Sequence, residues 1–481
     1  MTPIDTAMFF AISPQILLLT LGALILVLDL VIPEEHRRNL GWVTAVGMGL
    51  ILLTLLFVRP GEEATNAWGE MISYDWLSYT FSILFIFGAG ITALLVMDLE
   101  GLGSRGEFYI LMIASTIGMT FMASASDLVM LYLAIETTSI PLYVMAGFLI
   151  RDNKSTEAGF KYLLFGAMTS AVMLYGFSLL FGFSGTTNLS QIAQLLLDGN
   201  ISNPALVISL LLVLVGFGFK ISAVPLHFWA PDVYEGSPSP VAGFLSTASK
   251  AAGFVVLVRV LMLVFPNNLG GWSFILSALA VITMTLGNLI ALTQRNIKRM
   301  LAYSSIAHAG YILVGVVAIT ELGMTSVVYY LIAYLFTNLA AFGVVTIYGH
   351  QVGSDEMTAY YGMSRRSPWL ALVLLVALLS LAGMPPFGGF IAKVFVFASA
   401  VNAQMVWLAV VGVLNSIIGV YYYLTVLKYV YLYRSEGDEK PIVVPRPYKL
   451  ALIILVAGIL LVGTIFTPWF NWASTAAQTM F

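Results

Sequence analysis

The sequence predicts an all-α polytopic membrane protein of about fourteen transmembrane helices. Three observations lead there. Of 481 residues, 60% are hydrophobic and 9% charged, whereas a soluble domain carries roughly 25% charged residues. The apolar runs continue unbroken for about 20 residues, the length a helix needs to cross the hydrocarbon core and about twice that of a barrel strand. The lysines and arginines also crowd into alternate loops, the mark of a chain that crosses a bilayer repeatedly.

The expected spans run 15–32, 40–58, 75–97, 108–124, 127–150, 159–183, 204–222, 240–264, 271–292, 299–319, 324–349, 368–400, 404–433 and 449–468. The stretch from Met1 to Ser13 carries the acidic Asp5 and no basic residue, so it does not read as a cleaved signal peptide and the first span is expected to be retained. Spans one to three contain no basic residue and are expected to face lipid or a neighbouring subunit. Fourteen of the 21 lysines and arginines fall in loops after odd-numbered spans, Arg59 alone after an even-numbered one, and six within spans. Basic loops stay cytoplasmic, so both termini are expected on the opposite side.

The seventh span breaks at Ala223-Val224-Pro225, and the twelfth at Gly383-Met384-Pro385-Pro386-Phe387-Gly388-Gly389. Proline removes a backbone donor and frees carbonyls, which is tolerated at membrane depth only inside protein or beside water. The breaks lie five spans apart and so run in opposite directions. That topology suggests an inverted repeat, dividing the chain into 1–100 (helices 1–3), 108–264 (helices 4–8), 271–433 (helices 9–13) and 449–481 (helix 14).

Chemistry is expected from ionisable groups inside these spans: Glu136, Lys161, Lys220, Lys250 and Lys393. A charge at the bilayer centre costs upward of about 2.5 kcal/mol and marks proton or ion pathways. A carboxylate and an ammonium held together each favour the other's charged form. Glu136 therefore reads as partner to Lys220, either as a switch that expels the lysine proton or as a static pair that fixes packing. Lys220, Lys250 and Lys393 read as a relay bridged by hydroxyls and water. Lys161 lies nearer the cytoplasmic start of its span. His308, beside Ser304 and Ser305, reads equally as a proton carrier or an interhelical hydrogen-bonding residue, and His227 beside the first break is a further candidate. Arg259 and Lys428 sit nearer span ends and are read as snorkelling to the interface. His36 and His350 read as loop or interface residues, and Asp232 and Glu235 as part of a cytoplasmic link after span seven.

The absence of cysteine excludes thiolate metal sites, iron–sulfur ligation and disulfides in this chain. Phosphate-binding loops, dinucleotide fingerprints and serine triads are missing from the sequence, and nothing points to nucleic acid. Energy for transport is therefore expected through contacts with other subunits.

The run from His227 through Phe228-Trp229-Ala230-Pro231-Asp232-Val233-Tyr234-Glu235-Gly236-Ser237-Pro238-Ser239-Pro240 to Val241, followed by Ser249-Lys250, resembles the central motif of the antiporter-like proton-translocating subunits of respiratory complex I (NADH-quinone oxidoreductase). Its Pro-Asp-Val-Tyr-Glu-Gly-Ser-Pro form is similar to that of the subunit N family, whereas L- and M-type subunits usually carry an Ala-His-x-x-Ala-Pro variant. The resemblance covers spans four to thirteen. It implies two inverted five-helix repeats with broken helices seven and twelve. It also implies that Glu136 and Lys220 act as a switch, Lys161 lies on the path, Lys250 connects, and Lys393 lies nearer the outer exit; it gives His308 no role. NADH, FMN, iron–sulfur clusters and quinone would belong to partner subunits, with no cofactor here. The neighbours would be an M-type subunit on one side and K- and J-type subunits on the other, in a bacterial cell membrane. A cation/proton antiporter of the Mrp type would use the same fold, and a packing scaffold is a third reading.

Overall fold

The computed structural model describes residues 6–61, 64–197, 203–265, 271–434 and 440–481; Asp5 lies outside them. The chain opens with α1 (Thr6–Ala11), α2 (Ser13–Val31) and α3 (Asn39–Leu55), a short antiparallel hairpin of β1 (Thr65–Ala67) and β2 (Ile72–Tyr74), and α4 (Trp76–Val96). There follow α5 (Gly106–Ser124), α6 (Leu128–Ala146), α7 (Asn153–Ser184), α8 (Leu189–Leu197) and α9 (Asn203–Ile221). Next come α10 (Trp229–Gly236), α11 (Ser239–Phe244) and α12 (Lys250–Val264), the last two joined by a π turn over Leu245–Ser249. The second half comprises α13 (Trp272–Ala291), α14 (Ile297–Val317), α15 (Glu321–Val352), α16 (Met363–Arg366), α17 (Pro368–Ala382), α18 (Gly388–Asn402) and α19 (Val406–Tyr431), closed by α20 (Arg446–Thr464) and α21 (Phe466–Gln478).

Among the described residues, twelve helical segments are long and apolar enough to span a membrane, and Asn39–Leu55, Pro368–Ala382 and Gly388–Asn402 are shorter apolar helices. With the last two taken as one interrupted crossing, the chain has the all-α, fourteen-crossing architecture expected. At its centre runs α15, 32 residues long and buried throughout its span, packed against α11, α14, α17, α18, α20 and α21. By contrast, α2 buries only 28% of its window, so its apolar side chains face outward. Close helix approach uses small residues: a Cβ on Gly287 of α13 would stand 2.7 Å from the Ala307 nitrogen of α14, so only glycine lets these backbones meet.

Helix ends follow local chemistry. Asp75 caps α4 in a reciprocal box with Ser78, and Asp127 caps α6 by accepting from the Val129 and Met130 amides. At the first break, α9 stops at Ile221 and Ser222 turns to φ +59°. The Val224 amide is taken up by the Thr283 hydroxyl of α13 at 3.0 Å, and the Phe219 carbonyl by the Trp229 indole at 3.1 Å. The freed backbone groups are thus satisfied by neighbouring side chains, as a membrane interior demands. At the second break, Gly383 closes α17 at φ +84°, a conformation that suits glycine. The Gly389 amide then donates to Ser380 Oγ at 3.1 Å.

Four expectations change. Asp232 and Glu235 do not lie in a link: the seventh span resumes as α10, because Pro231 falls in its first turn, where the missing amide costs nothing. Arg259 does not snorkel; it is 2% exposed and bonded to Asp75. The last span is followed by α21, too short and polar to register as a span, whose Trp469 packs on Phe336 of α15. The segment before the third span holds the β1–β2 hairpin, whose three-residue strands are below what alternation can reveal.

Candidate proton path

Lys220 is the penultimate residue of α9 and 6% exposed. Its ammonium does not meet Glu136 directly. It donates to the hydroxyl of Ser139, one turn along α6 from Glu136, and the Ser139 hydroxyl in turn bonds the Ile135 carbonyl. Glu136 accepts from Ser170 of α7 and remains the acidic neighbour whose field reaches Lys220. The Lys220 ammonium is thus received by a hydroxyl on the helix that carries Glu136, and the carboxylate itself is held by Ser170.

Lys250 follows the π turn and is 1% exposed. Its Nζ donates to the Ser305 carbonyl at 2.7 Å and to Ser305 Oγ at 2.5 Å. π turns are rare and concentrate at functional sites. One turn further along α14, His308 is 3% exposed, with Nδ1 2.7 Å from the Tyr330 hydroxyl and Nε2 3.2 Å from that of Tyr423. Ser305, which binds Lys250, lies one turn before His308, and the Tyr311 ring 5.6 Å from the imidazole lies under the Lys393 ammonium, so His308 neighbours the settings of both amines. A cavity of about 10 Å³ lies against His308, Tyr334, Ser380 and Leu381, room for about one water.

Lys393, on α18 just beyond the second break, donates to the Leu381 and Ala382 carbonyls, each at 3.1 Å, and stands 5.0 Å over the Tyr311 ring. It binds the carbonyl end of the first half-helix, where the helix dipole is negative. None of Lys220, Lys250 and Lys393 is ion-paired among the described residues; each is held by neutral oxygens.

Lys161 belongs to a different setting. It pairs with Glu157 at 2.7 Å and Asp232 at 2.6 Å, while Arg299 bonds Asp232 at 2.7 Å and Glu235 at 2.9 Å, and Lys154 bonds Glu235 at 3.1 Å. These six groups line a partly open cavity of about 160 Å³. His227 is buried in the first break, its ring beside Phe228 and its Nδ1 without a hydrogen bond among the described residues; it makes no contact with the lysines. Lys428 is exposed near the end of α19. Among the described residues, no group of three histidine or acidic side chains could hold a metal.

Sequence reasoning expected hydroxyls along the relay and named Ser305 only as a neighbour of His308; it did not name Ser139. Ser139 and Ser305 each lie three residues from a named charge or imidazole on the same helix, a spacing that could have pointed to them. The tyrosines arrive from α15 and α19, with no local signal.

A family model described as NADH:quinone oxidoreductase/Mrp antiporter, transmembrane region, matches residues 125–419. The chain belongs to this family. Within it, the chain is 43% identical over 472 residues to NADH-quinone oxidoreductase subunit N of Moorella thermoacetica, covering 98% of both. It is 41% identical over 480 residues to subunit N of Trichlorobacter lovleyi, covering 97% of this chain and 96% of that one. A chain of respiratory complex I from Thermus thermophilus with bound aureothin superposes with a TM-score of 0.81 at 32% identity, over 95% of this chain and 98% of that chain. A chain of the Mrp complex from Dietzia sp. shares the fold with a TM-score of 0.82 at 20% identity, over 98% of this chain and 52% of its own length. The subunit N resemblance therefore extends over nearly the whole chain.

Proposed function

We propose that this chain is a proton-translocating membrane-arm subunit of an NADH:quinone oxidoreductase, itself free of redox groups. The carrying observation is that three buried amines, Lys220, Lys250 and Lys393, are bonded only to neutral oxygens among the described residues, with His308 one turn from the serine that binds Lys250. An amine without a carboxylate partner in an apolar interior is poised to exchange its proton. Glu136 acts on Lys220 through the field of its charge: when that charge moves away or is neutralised, Lys220 releases its proton toward Lys250, then His308 and Lys393. The Lys161–Asp232–Arg299–Glu235 cluster supplies the cytoplasmic approach. Electron transfer from NADH through FMN and iron–sulfur clusters to quinone proceeds in partner subunits, an M-type subunit on one flank and K- and J-type subunits on the other. The breaks in helices seven and twelve mark two inverted repeats, helices 4–8 and 9–13. Both termini face away from the cytoplasm of a bacterial cell membrane.

The test is Lys220→Ala in the assembled complex, with proton uptake by inverted vesicles measured against quinone reduction. Loss of most pumping with assembly retained is expected; undiminished pumping removes the relay assignment. The Mrp-type fold likeness keeps a cation/proton antiporter as the second reading. It requires sodium-dependent proton movement without any electron donor, which the first reading does not.

A further inference from the structure

Arg259 and Asp75 form a buried ion pair outside the line of lysines. Arg259 Nη2 donates to both Asp75 oxygens, at 3.0 and 2.9 Å, with the side chains 2% and 3% exposed. They join the outer half of α12 to the start of α4, across 184 residues of sequence. A buried pair of this kind is no better for stability than well-packed apolar residues, and its best-attested use is to specify geometry.

Its geometry relative to Lys250 is specific. Both residues belong to α12, and their nine-residue separation makes about two and a half turns, so they project from opposite faces. Lys250 points to Ser305 of α14, and Arg259 to Asp75 at α4. Between them Gly253 brings α12 against the Lys220 side chain, where an added Cβ would stand 3.0 Å from Lys220 Cβ. On the cytoplasmic side α12 meets the π turn Leu245–Ser249, whose extra residue offsets the segments on either side by about 100°. Contacts between α12 and its neighbours hold the helix at that offset. Asp75 is well placed to do so, because its carboxylate is fixed by the Ser78 amide at 2.7 Å and the Ser73 hydroxyl at 3.3 Å as well as by Arg259.

We propose that the Arg259–Asp75 pair is a rotational anchor for α12: it positions Lys250 against Ser305 and holds the π turn in place. It rests on the reading of Lys250 as a proton carrier. Arg259 and Asp75 are positioning residues; neither carries the proton.

The experiment uses the assembled complex in inverted vesicles and reads protons taken up per quinone reduced. Arg259→Met with Asp75→Asn removes both charges while keeping an acceptor to cap α4. Pumping is expected to fall by about fivefold to tenfold with quinone reduction retained, and adding Lys250→Ala is expected to cost nothing further, because groups acting through one another are not additive. Full pumping in the assembled double variant, or a Lys250→Ala loss that multiplies onto it unchanged, overturns the anchor. If the double variant does not assemble, Arg259→Lys keeps the charge but loosens the grip. It is expected to lose less pumping, with the same non-additivity; strict additivity overturns the anchor there too. Lys250→Ala alone without loss defeats the relay reading instead, so the two failures are distinct.

Discussion

The three interior ammonium groups are each held by a different neutral acceptor: a serine hydroxyl for Lys220, a serine carbonyl and hydroxyl together for Lys250, and the carbonyl end of a half-helix for Lys393. Neutral oxygens hold a proton more loosely than a carboxylate would, because they stabilise the ammonium by hydrogen bonding without a full opposing charge. Ser139 is the residue where this matters most, since it receives the Lys220 ammonium one turn from Glu136 on the same helix. Ser139→Ala is expected to impair pumping as Glu136→Gln does, whereas Ser139→Thr and Glu136→Asp, which keep the hydroxyl and the carboxylate, retain most of it. Steady-state proton uptake in vesicles distinguishes these outcomes, and a silent Ser139→Ala removes the role of its hydroxyl in holding Lys220. The charged residues themselves were legible in the sequence because a charge inside an apolar run is conspicuous. Ser139 and the bond from Lys250 to Ser305 were not, because serine is common in membrane helices and only its neighbours show its use.

At the scale of the element, both broken helices were marked in advance by their prolines, yet what stabilises them was not. Proline shows that carbonyls are freed; it does not name the Trp229 indole or the Lys393 ammonium as their partners. Gly383 ties break and site together, with φ at +84° and a would-be Cβ 2.9 Å from Lys393 Cδ. Gly383→Ala is expected to destabilise the second break by about 2 kcal/mol from backbone strain and to push Lys393 off its carbonyls. Thermal unfolding of the purified complex and its pumping ratio should fall together; an unchanged melting temperature with full pumping contradicts the account. The short elements α8, α21 and the β1–β2 hairpin escaped a hydropathy reading, since each is too short for its periodicity to stand out.

For the whole molecule, charge placement carries the topology. The Lys161–Asp232–Arg299–Glu235 cluster lies about a third exposed, so its pairs contribute little to stability, about 1 kcal/mol or less each. The fully buried Arg259–Asp75 pair is different, because breaking one partner leaves an unpaired charge at a cost of about 3–5 kcal/mol. The chain has no cysteine, so single introduced thiols report on topology without background. Phe481→Cys is expected to react with a membrane-impermeant maleimide from the non-cytoplasmic side, and Arg151→Cys only from the cytoplasmic side. The reverse pattern inverts the orientation.

From the sequence alone came the fourteen crossings, the two breaks and the buried amines, because hydropathy, proline and charge inside an apolar run act locally along a chain. Tertiary structure decided who meets whom: Ser139 against Lys220, Tyr330 and Tyr423 against His308, and Asp75 against Arg259. Those partners come from different helices, and helix packing alone determines which faces are brought together. No one-dimensional pattern records that choice.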